Sequence, residues 1–316
     1  MQQFESIILT ENLTKRFGRT LAVAGLNLAV RREEIFGLVG PDGAGKTTTI
    51  RMLAAIMNPT KGWARVAGYD TVRQAEEIKR IIGYMPQHFS LYGDLTVMEN
   101  LTFFADIFDV RGEERRRRIE RLLEFARLAE FKNRRAAQLS GGMQKKLALA
   151  CTLIHRPQIL LLDEPTTGVD PVSRREFWDI ISELHLAGVT ILISTPYMDE
   201  AERCSRVGLM FEGQLIVCDE PDNIKGLVAG ELIELRPSDV WRAREIAAEM
   251  DGVQEVQTYG DLLHIFVDDA AKRMPQVEAG LLAQGIAVEG IRQTRPRMEE
   301  AFISLIRRRL AEKPTL

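Results

Sequence analysis

The sequence predicts an α/β protein with a parallel core sheet, followed by a smaller α+β domain. Glu34–Val39 is a short apolar strand that leads directly into a glycine-rich stretch and then into a helical segment. Two further apolar segments of strand length, Ile159–Leu162 and Val189–Ser194, alternate with helical segments, which is typical of a parallel sheet covered on both faces. Around Gly226–Gly230 the pattern changes to short alternating elements, and this change predicts a second domain.

The composition is consistent with this division and excludes several other classes. The chain has 316 residues, is 45% apolar and carries a net charge of −3, so it has no general attraction for nucleic acid or an anionic membrane. Its three cysteines include no CxxC pair and its four histidines are scattered, which indicates buried reduced thiols and no metal-ligand cluster. The N-terminus lacks a signal-peptide pattern, and no apolar run reaches the roughly 18 to 20 residues of a membrane span. A role at a membrane would therefore need a partner chain.

The first elements are predicted from alternation and from turn residues. Ser6–Thr10 and Leu21–Val30 are apolar or alternating and are separated by a turn at Gly18, so we expect two strands. The glycine-rich stretch opens a helix from about Lys46 to Met57, which Asn58-Pro59 should end because proline cannot continue a helix.

The middle of the chain is predicted to be helical and the end of the first domain to be a hairpin. Residues 95–135 show helical periodicity, and we interpret the basic run Arg115–Arg118 as a solvated helix face. Val207–Phe211 and Gln214–Cys218 are apolar strands on either side of Glu212-Gly213, a two-residue hairpin turn.

The second domain shows a regular order of short elements. We expect strands at Glu231–Leu235, Val253–Thr258, Leu262–Val267 and Ile286–Arg292, and helices at Ser238–Met250, Ala270–Gln284 and Met298–Leu310. This order matches the split βαβ arrangement of ferredoxin-like folds. The segment contains no phosphate loop and no acid/base cluster, so it is predicted to be an accessory domain. The predicted domains are residues 1–228 and 229–316.

The strongest chemical signal is a glycine-rich loop between a strand and a helix. It fits the pattern G-x-x-x-x-G-K-[ST] in full and consists of Gly40, Pro41, Asp42, Gly43, Ala44, Gly45, Lys46, Thr47 and Thr48. Glycines let main-chain N–H groups curl around a phosphate, and the following helix directs its positive end at the anion. Lys46 is expected to reach the β- and γ-phosphates, and the Thr47 hydroxyl to ligate Mg²⁺. An ordinary glycine-rich turn is the alternative reading.

A second segment supplies carboxylates for the same site. The apolar strand Ile159–Leu162 is followed at once by Asp163 and Glu164. The carboxyl ends of parallel strands are where ligands bind in α/β folds. We expect Asp163 to hold Mg²⁺ and Glu164 to act as general base on an attacking water.

A third segment, Leu139-Ser140-Gly141-Gly142, precedes the apolar helix Lys145–Ile154. Ser140 is a natural N-cap, and the glycines leave the first N–H groups of the helix exposed. This arrangement predicts a second anion site at a helix N-terminus, although a plain capped helix would give the same pattern.

The order of these motifs resembles the ATP-binding cassette (ABC) family over residues 4 to about 225: the phosphate loop, Gln87, LSGG, LLLDEP, and then Gly168-Val169-Asp170. The resemblance implies a P-loop cassette with a parallel core sheet, an antiparallel β subdomain and a helical subdomain that carries the signature. It also implies head-to-tail dimers, with Ser140 and Gly142 touching the γ-phosphate of ATP held by a second cassette. Phe17 would stack on adenine, Gln87 would sense Mg²⁺ and the attacking water, and Asp170 would lie at the dimer seam.

A finer resemblance is to the cytoplasmic subunits of ABC-2-type drug and polysaccharide exporters. It rests on the segments SGGMQKKL, Tyr197–Cys204 and Arg297–Phe302. The sequence Gly-Pro-Asp-Gly in the phosphate loop is similar to that of the first cassette of tandem-cassette multidrug exporters. The resemblance implies export powered by ATP, integral-membrane permease partners, and a peripheral position on the cytoplasmic face of the bacterial inner membrane. It leaves open whether the second cassette is identical.

One position departs from the family pattern. After Val189–Ser194 the family reads Ser-Thr-His, whereas this chain reads Ser194-Thr195-Pro196. Proline has no side-chain or main-chain donor for a phosphate, so hydrolysis is expected to be slow while binding survives. This keeps open a regulatory cassette with little turnover. A non-transport ABC ATPase acting on ribosomes or DNA is a further alternative, against which the single cassette and the lack of a coiled-coil insertion argue.

Overall fold

The computed structural model describes residues 5–88, 91–228 and 230–311. The chain divides into two units, one ending at Glu220 and one beginning at Pro221. None of the helices within these residues combines the length and the apolar character needed to cross a membrane.

The first unit contains ten strands and seven α-helices within the described residues. The strands are β1 (Ser6–Phe17), β2 (Thr20–Arg31), β3 (Ile35–Val39), β4 (Lys61–Val66), β5 (Tyr69–Asp70), β6 (Ile82–Met85), β7 (Ile159–Asp163), β8 (Thr190–Thr195), β9 (Arg206–Phe211) and β10 (Gln214–Asp219). The helices are α1 (Lys46–Leu53), α2 (Ala75–Ile81), α3 (Val97–Ile107), α4 (Gly112–Phe125), α5 (Gly141–Leu153), α6 (Pro171–Leu186) and α7 (Met198–Ala201).

The core of the first unit is a six-stranded sheet with the order β10-β9-β3-β8-β7-β6. All neighbouring pairs from β9 to β6 are parallel, and β10 is antiparallel to β9. Every residue of β3, β7 and β8 is buried, which explains why these strands are continuous apolar runs rather than alternating ones. The predicted parallel core sheet is confirmed. Its consequence is that the carboxyl ends of β3, β7 and β8 meet at one edge.

A separate antiparallel sheet has the order β2-β1-β4-β5. β1 continues beyond the predicted Ser6–Thr10 to Phe17, because a register shift between Thr10 and Leu13 lets pairing with β2 resume. Asn12 in this shift has a φ of 48°, a left-handed conformation that asparagine tolerates. The longer strand carries Phe17 toward the glycine-rich loop.

The predicted hairpin of β9 and β10 is confirmed. Glu212 and Gly213 have φ angles of 47° and 78°, as a turn with two left-handed residues requires. The turn docks on β2, since the main-chain N–H of Ala24 donates to the oxygen of Gly213 at 2.8 Å.

The helical middle of the first unit has its own apolar cluster on α3, α4 and α5. The basic run lies on α4, where Arg116 and Arg117 are exposed and pair with Glu113 and Glu114. The interpretation of this run as a solvated face holds for Arg116 and Arg117, whereas Arg115 and Arg118 are half-buried and donate to the main-chain oxygens of Val110 and Ile154.

One predicted helix is shorter than expected. α1 ends at Leu53 rather than near Met57, because Ala55 adopts a left-handed φ of 55°. The N–H of Ile56 then donates to the oxygen of Arg51 at 3.1 Å, which closes the helix before Asn58-Pro59 is reached.

The second unit contains the predicted strands and helices, with one short helix before them. The elements are α8 (Pro221–Lys225), β11 (Glu231–Pro237), α9 (Val240–Ala248), β12 (Val253–Tyr259), β13 (Leu262–Val267), α10 (Ala270–Ala283), β14 (Val288–Thr294) and α11 (Met298–Ala311). The four strands form an antiparallel sheet with the order β12-β13-β11-β14. Side chains of α9 and α10 share an apolar core with Ile233, Leu263 and Ile265.

The C-terminal helix α11 is joined to the sheet through a buried polar pair. His264 on β13 lies within 2.9 Å of Glu300 on α11, measured from Nδ1 to Oε1. Both side chains are almost completely buried, and Ala301 beside them is fully buried. Tyr259 stacks on His264 with ring centroids 4.4 Å apart. The pair therefore fixes α11 against the sheet.

Candidate functional site

The glycine-rich loop runs from the end of β3 to the start of α1. Gly45 caps the helix in a left-handed conformation with a φ of 100°, and a Cβ there would lie 2.4 Å from the oxygen of Ala22. Gly43 is also left-handed, at 79°, but a Cβ there would meet open space. Gly45 is thus required both by its main-chain angle and by its neighbour, and the loop presents its tip to the surface.

Lys46 lies at the centre of this loop. Its ammonium donates to the oxygens of Gly40 and Pro41 at 2.8 and 3.0 Å, and it lies 3.1 Å from Oε1 of Glu164. The side chain is only 3% exposed. The three donors of the ammonium are all engaged in this arrangement, so a bound phosphate would take the place of one of these acceptors.

Thr47 and Asp163 bring oxygen atoms together at the end of β7. Oγ1 of Thr47 and Oγ of Ser194 both donate to Oδ1 of Asp163, at 3.0 and 2.7 Å. Oδ2 of Asp163 is buried and has no hydrogen-bond partner among the residues that the structure describes. Burial raises the pKa of Asp163, although the bonds from Ser194 and Thr47 oppose this. A hydroxyl and a carboxylate with an unused oxygen fit the ligand preference of Mg²⁺.

Glu164 follows in a conformation that non-glycine residues rarely adopt. Its φ is 46°, and its main-chain N–H donates to Oγ of Ser194 at 3.0 Å. Its side chain is 4% exposed, with Oε2 accepting from Nε2 of Gln87 at 2.9 Å and from Oγ1 of Thr167 at 3.3 Å. Strained angles of this kind persist only where the surroundings hold them, and they cluster at functional sites.

These residues open onto one cleft of about 700 Å³ in the first unit. Its lining includes most of the predicted site, namely Phe17, Asp42, Gly43, Ala44, Gly45, Lys46, Thr47, Thr48, Gln87 and Glu164. The ring of Phe17 is 47% exposed. An exposed aromatic ring beside a phosphate-binding loop offers a flat apolar surface to a planar ligand group.

The signature segment and Asp170 do not line this cleft. Ser140 caps α5, with its hydroxyl accepting from the N–H of Met143 at 3.3 Å, while Gly142 packs against Ser173. Asp170 caps α6 by accepting from the N–H groups of Val172 and Ser173. These hydrogen bonds, from Ser173 foremost, lower the pKa of Asp170. Asp before a proline is a sequence pattern that could have predicted this cap, although Asp170 was indicated only by the family resemblance.

Pro196 lies next to the loop, just beyond β8. The N–H of Gly40 lies 3.4 Å from the oxygen of Thr195, the residue before Pro196. Sequence reasoning missed a buried network below this point, in which Glu200 accepts from the hydroxyls of Thr166 and Thr195 at 2.6 Å each. Glu200 is fully buried. These hydrogen bonds hold Thr195, and thereby the adjoining Pro196, in a fixed position.

Comparisons with known proteins agree with this geometry. The ABC transporter family profile matches residues 23–167. The chain is 42% identical over 310 residues, 96% of its length, to the probable multidrug ABC transporter ATP-binding protein YbhF of Escherichia coli (strain K12). It covers 52% of YbhF, so it spans about half the length of that relative. It is 36% identical to the daunorubicin resistance ATP-binding protein DrrA2 of Streptomyces coeruleorubidus, with 94% of each chain covered.

Solved structures of similar fold are also ATP-binding cassettes. An ATP-binding subunit of an ABC transporter superimposes with a TM-score of 0.64 at 28% identity, covering 70% of this chain and 92% of that one. A dimeric ATP-binding cassette in a post-hydrolysis state, bound to ADP and Pi, gives a TM-score of 0.61 at 28% identity, covering 67% and 98%. The relatives confirm the resemblance to exporter cassettes, and the solved structures support the cassette fold. The chain belongs to the family of ABC transporter ATP-binding proteins.

Proposed function

We propose that this chain binds Mg-ATP at an interface between two cassettes and hydrolyses it to power export by separate membrane permease subunits. The observation that carries the proposal is the convergence of Lys46, Thr47, Gln87 and Glu164 on one cleft beside an exposed aromatic ring. Phosphate-binding, cation-binding and base groups are all needed for phosphoryl transfer to water, and few other reactions need all three.

Each group has a role that its surroundings support. The loop from Gly40 to Thr48 would bind the phosphates, with Lys46 neutralising their charge, and Phe17 would stack on adenine. Thr47, Asp163 and Gln87 would hold Mg²⁺, which supplies charge neutralisation when it is bound. Glu164 would accept the proton of the attacking water, and Gln87 at 2.9 Å from its carboxylate would orient that water.

Ser140, Gly141, Gly142 and Asp170 would complete the site of a second cassette. Their position outside the cleft of their own chain supports this assignment. So does the similarity to a cassette whose solved structure is a dimer with ADP and Pi. The N-terminus of α5 offers free N–H groups and a positive helix end, which suit the γ-phosphate of a nucleotide bound by the other copy.

Export is supported by the names of the relatives. These include multidrug transport, daunorubicin resistance and, for a Burkholderia thailandensis protein 38% identical over 261 residues, Nod factor export. We therefore propose integral-membrane permease partners and a peripheral position on the cytoplasmic face of the bacterial inner membrane. The second cassette is either an identical copy or a related chain.

We propose further that residues 1–228 form the cassette and residues 229–316 a ferredoxin-like accessory domain. The order β-α-β-β-α-β with the sheet order β12-β13-β11-β14 supports the fold of the second part. The two structural units divide slightly earlier, between Glu220 and Pro221.

The test is ATP binding and hydrolysis by the purified chain and three variants. Lys46→Ala should weaken ATP binding at least tenfold, because it removes the buried cation of the loop. Glu164→Gln should still bind ATP, lose at least about 100-fold in hydrolysis and accumulate as an ATP-bound dimer in size-exclusion chromatography. Lys79→Ala, which alters only an exposed pair with Glu76, is the control. A wild-type chain that binds no ATP would refute the proposal.

We expect the residue at position 196 to decide how fast the bound ATP is hydrolysed. One missing donor to a developing phosphate charge typically lowers a rate by about 10² to 10³. In the complex with the membrane partner, Pro196→His should therefore raise the single-turnover rate by up to about 100-fold, whereas Pro196→Ala, which adds no donor, should not. Equal rates for wild type and Pro196→His would show that the site does not need this donor. Copurification from membranes identifies the permease and the second cassette.

A further inference from the structure

Lys145 makes a contact that the roles assigned above do not use. It lies in the second turn of α5, the helix that begins with the signature glycines, and it is half-buried. Its ammonium donates to the main-chain oxygen of Gln87 at 2.9 Å. The two residues are 58 positions apart, so the contact exists only because the helix packs beside the segment that follows β6.

The contact fixes a segment that has little other support. Gln87 follows β6 after a proline and belongs to no strand or helix. Among the residues that the structure describes, the bond from Lys145 is the only hydrogen bond made by the main chain of Gln87. Within the described residues, one charged donor therefore holds the main chain at this point, two residues beyond the end of β6, and the direction of a side chain follows from its main chain.

The side chain of Gln87 points from this fixed position to the carboxylate of Glu164. Nε2 of Gln87 donates to Oε2 of Glu164 at 2.9 Å, and Oε1 of Glu164 lies 3.1 Å from the ammonium of Lys46. A continuous chain of contacts therefore runs from α5 to the phosphate loop. Burial lowers the pKa of Lys145, while the negative charges of Glu164 and Asp163 oppose this and favour its charged form.

We infer that Lys145 is a positioning residue for ATP hydrolysis, holding the main chain of Gln87 so that its amide is directed at Glu164. This inference rests on the proposed function and deepens it. It also connects two sites, because α5 begins at the signature that would meet the nucleotide of a second cassette. Displacement of α5 on dimer formation would move Gln87, and with it the orientation of the water beside Glu164.

The test compares Lys145→Met with Lys145→Arg in the full chain. The Met variant keeps the length of the side chain without its donor, so kcat should fall about tenfold while the KM and Kd for ATP stay within about twofold. Arginine restores a charged donor and should recover most of the rate. Lys146→Met is the matched control, since Lys146 lies next on the helix but pairs with Glu176 at 2.8 Å. It should lower the melting temperature and leave kcat unchanged.

A double-mutant cycle distinguishes positioning from general damage. If Lys145 acts through Gln87, then Lys145→Met should cause no further loss of kcat in a Gln87→Ala background. An additional tenfold loss there, or a Lys145→Met variant as fast as the wild type, would overturn the inference. These outcomes differ from failure of the proposed function, in which the wild type itself would not hydrolyse ATP.

A second measurement does not depend on hydrolysis. Hydrogen exchange of the β6 amides that lie just before Gln87 should become faster in Lys145→Met and stay at the wild-type rate in Lys145→Arg and Lys146→Met, because loss of the bond to the Gln87 oxygen would loosen the end of that strand. Unchanged exchange in Lys145→Met would refute the positioning role even if the chain proved inactive.

Discussion

The substitution Gly142→Ala tests whether packing, as well as nucleotide binding, constrains the signature segment. A Cβ on Gly142, at the start of α5, would lie 2.4 Å from both Cβ and Oγ of Ser173 on α6, and 3.5 Å from Cγ1 of Val169. Real Cβ atoms do not approach side-chain atoms to 2.4 Å, so Gly142→Ala must displace one helix. The perturbation is a single methyl group in a buried contact.

The magnitude follows from two opposing effects. Overpacking a tight contact costs about 1 to 3 kcal/mol of unfolding free energy. Alanine is a better helix former than glycine by up to about 1 kcal/mol, but Gly142 lies in the first turn, where this gain is smaller. The expected net loss is about 1 to 2 kcal/mol, which in a unit of this size lowers the melting temperature by about 2 to 8 °C.

A second substitution, Ser173→Gly, should restore part of the stability that Gly142→Ala loses. Ser173→Gly removes both atoms that the new methyl group would meet, and the main-chain N–H of Ser173 can still donate to Asp170. Gly142→Ala combined with Ser173→Gly should therefore lose less stability than the sum of the single variants. Gly141→Ala is the control, because its nearest neighbour would be the oxygen of Gly168 at 3.9 Å. Thermal unfolding by circular dichroism measures the stability of the wild type and of all four variants.

Either of two results would refute this reasoning: a Gly142→Ala variant as stable as the wild type, or additive losses in the double variant. ATP hydrolysis of the double variant then separates two roles of Gly142. Recovery of stability and rate together would assign the glycine to packing alone. Recovery of stability without recovery of the hydrolysis rate would show that the nucleotide site also requires a residue without a side chain at position 142.

The remaining predictions concern buried contacts in both units. Gly37→Ala should cost about 1 to 3 kcal/mol, because its Cβ would lie 2.8 Å from Sγ of the buried Cys204, and Cys204→Ala in the same chain should recover part of this loss in thermal unfolding. Glu300→Ala should destabilise the second unit by up to about 3 to 5 kcal/mol in urea unfolding, since it leaves the buried His264 with only Glu234, whose Oε2 lies 3.6 Å from Nε2 of His264. Burial alone would raise the pKa of Glu300, but the bonds from His264 and the N–H of Arg297 outweigh it and lower the pKa below 4.5. The carboxylate therefore contributes stability above pH 4.5 that is lost as the pH falls through its folded pKa, and Glu300→Gln should flatten this acid limb.

Most of the groups that line the cleft were predictable because they lie in short contiguous motifs, whereas Phe17 and Gln87 were indicated only by the resemblance to the ABC family. The loop has its full pattern in the eight residues Gly40–Thr47, and Asp163 and Glu164 directly follow an apolar strand. Parallel packing of β3, β8 and β7 then brings these two segments to the same sheet edge. Here local chemistry and fold class together were sufficient to place the residues.

Contacts between distant segments could not be predicted in this way. Glu200 and Thr166 are 34 residues apart, and the bond between them exists only because α7 packs beneath the end of β8 and beside the segment after β7. The bond from Lys145 to Gln87 depends in the same way on how α5 packs. Single sequences carry propensity and periodicity, but they do not give the distance between two helices.

Strand β6 was missed for a different reason. Ile82–Met85 has only four residues, and Gly83 within it weakens the strand signal. The structure explains the glycine, since a Cβ there would lie 2.6 Å from Cδ2 of Leu160 and 2.7 Å from Cγ2 of Thr152. The close approach of α5 and β7 to this strand excludes a side chain, and that requirement is visible only after the elements are assembled.

The proposed separation between ATP binding and ATP hydrolysis rests on which elements hold each group. Lys46 is held by the oxygens of Gly40 and Pro41 in its own loop and by the carboxylate of Glu164, and none of these contacts involves Pro196. Pro196 lies at the end of β8, beyond Thr195, whose hydroxyl is already committed to Glu200 at 2.6 Å. The hydroxyl of Thr195 therefore cannot easily turn to replace a missing donor, because doing so would leave a buried carboxylate short of a hydrogen bond. Proline in place of the family's histidine at position 196 should accordingly lower the rate of ATP hydrolysis while leaving the affinity for ATP almost unchanged.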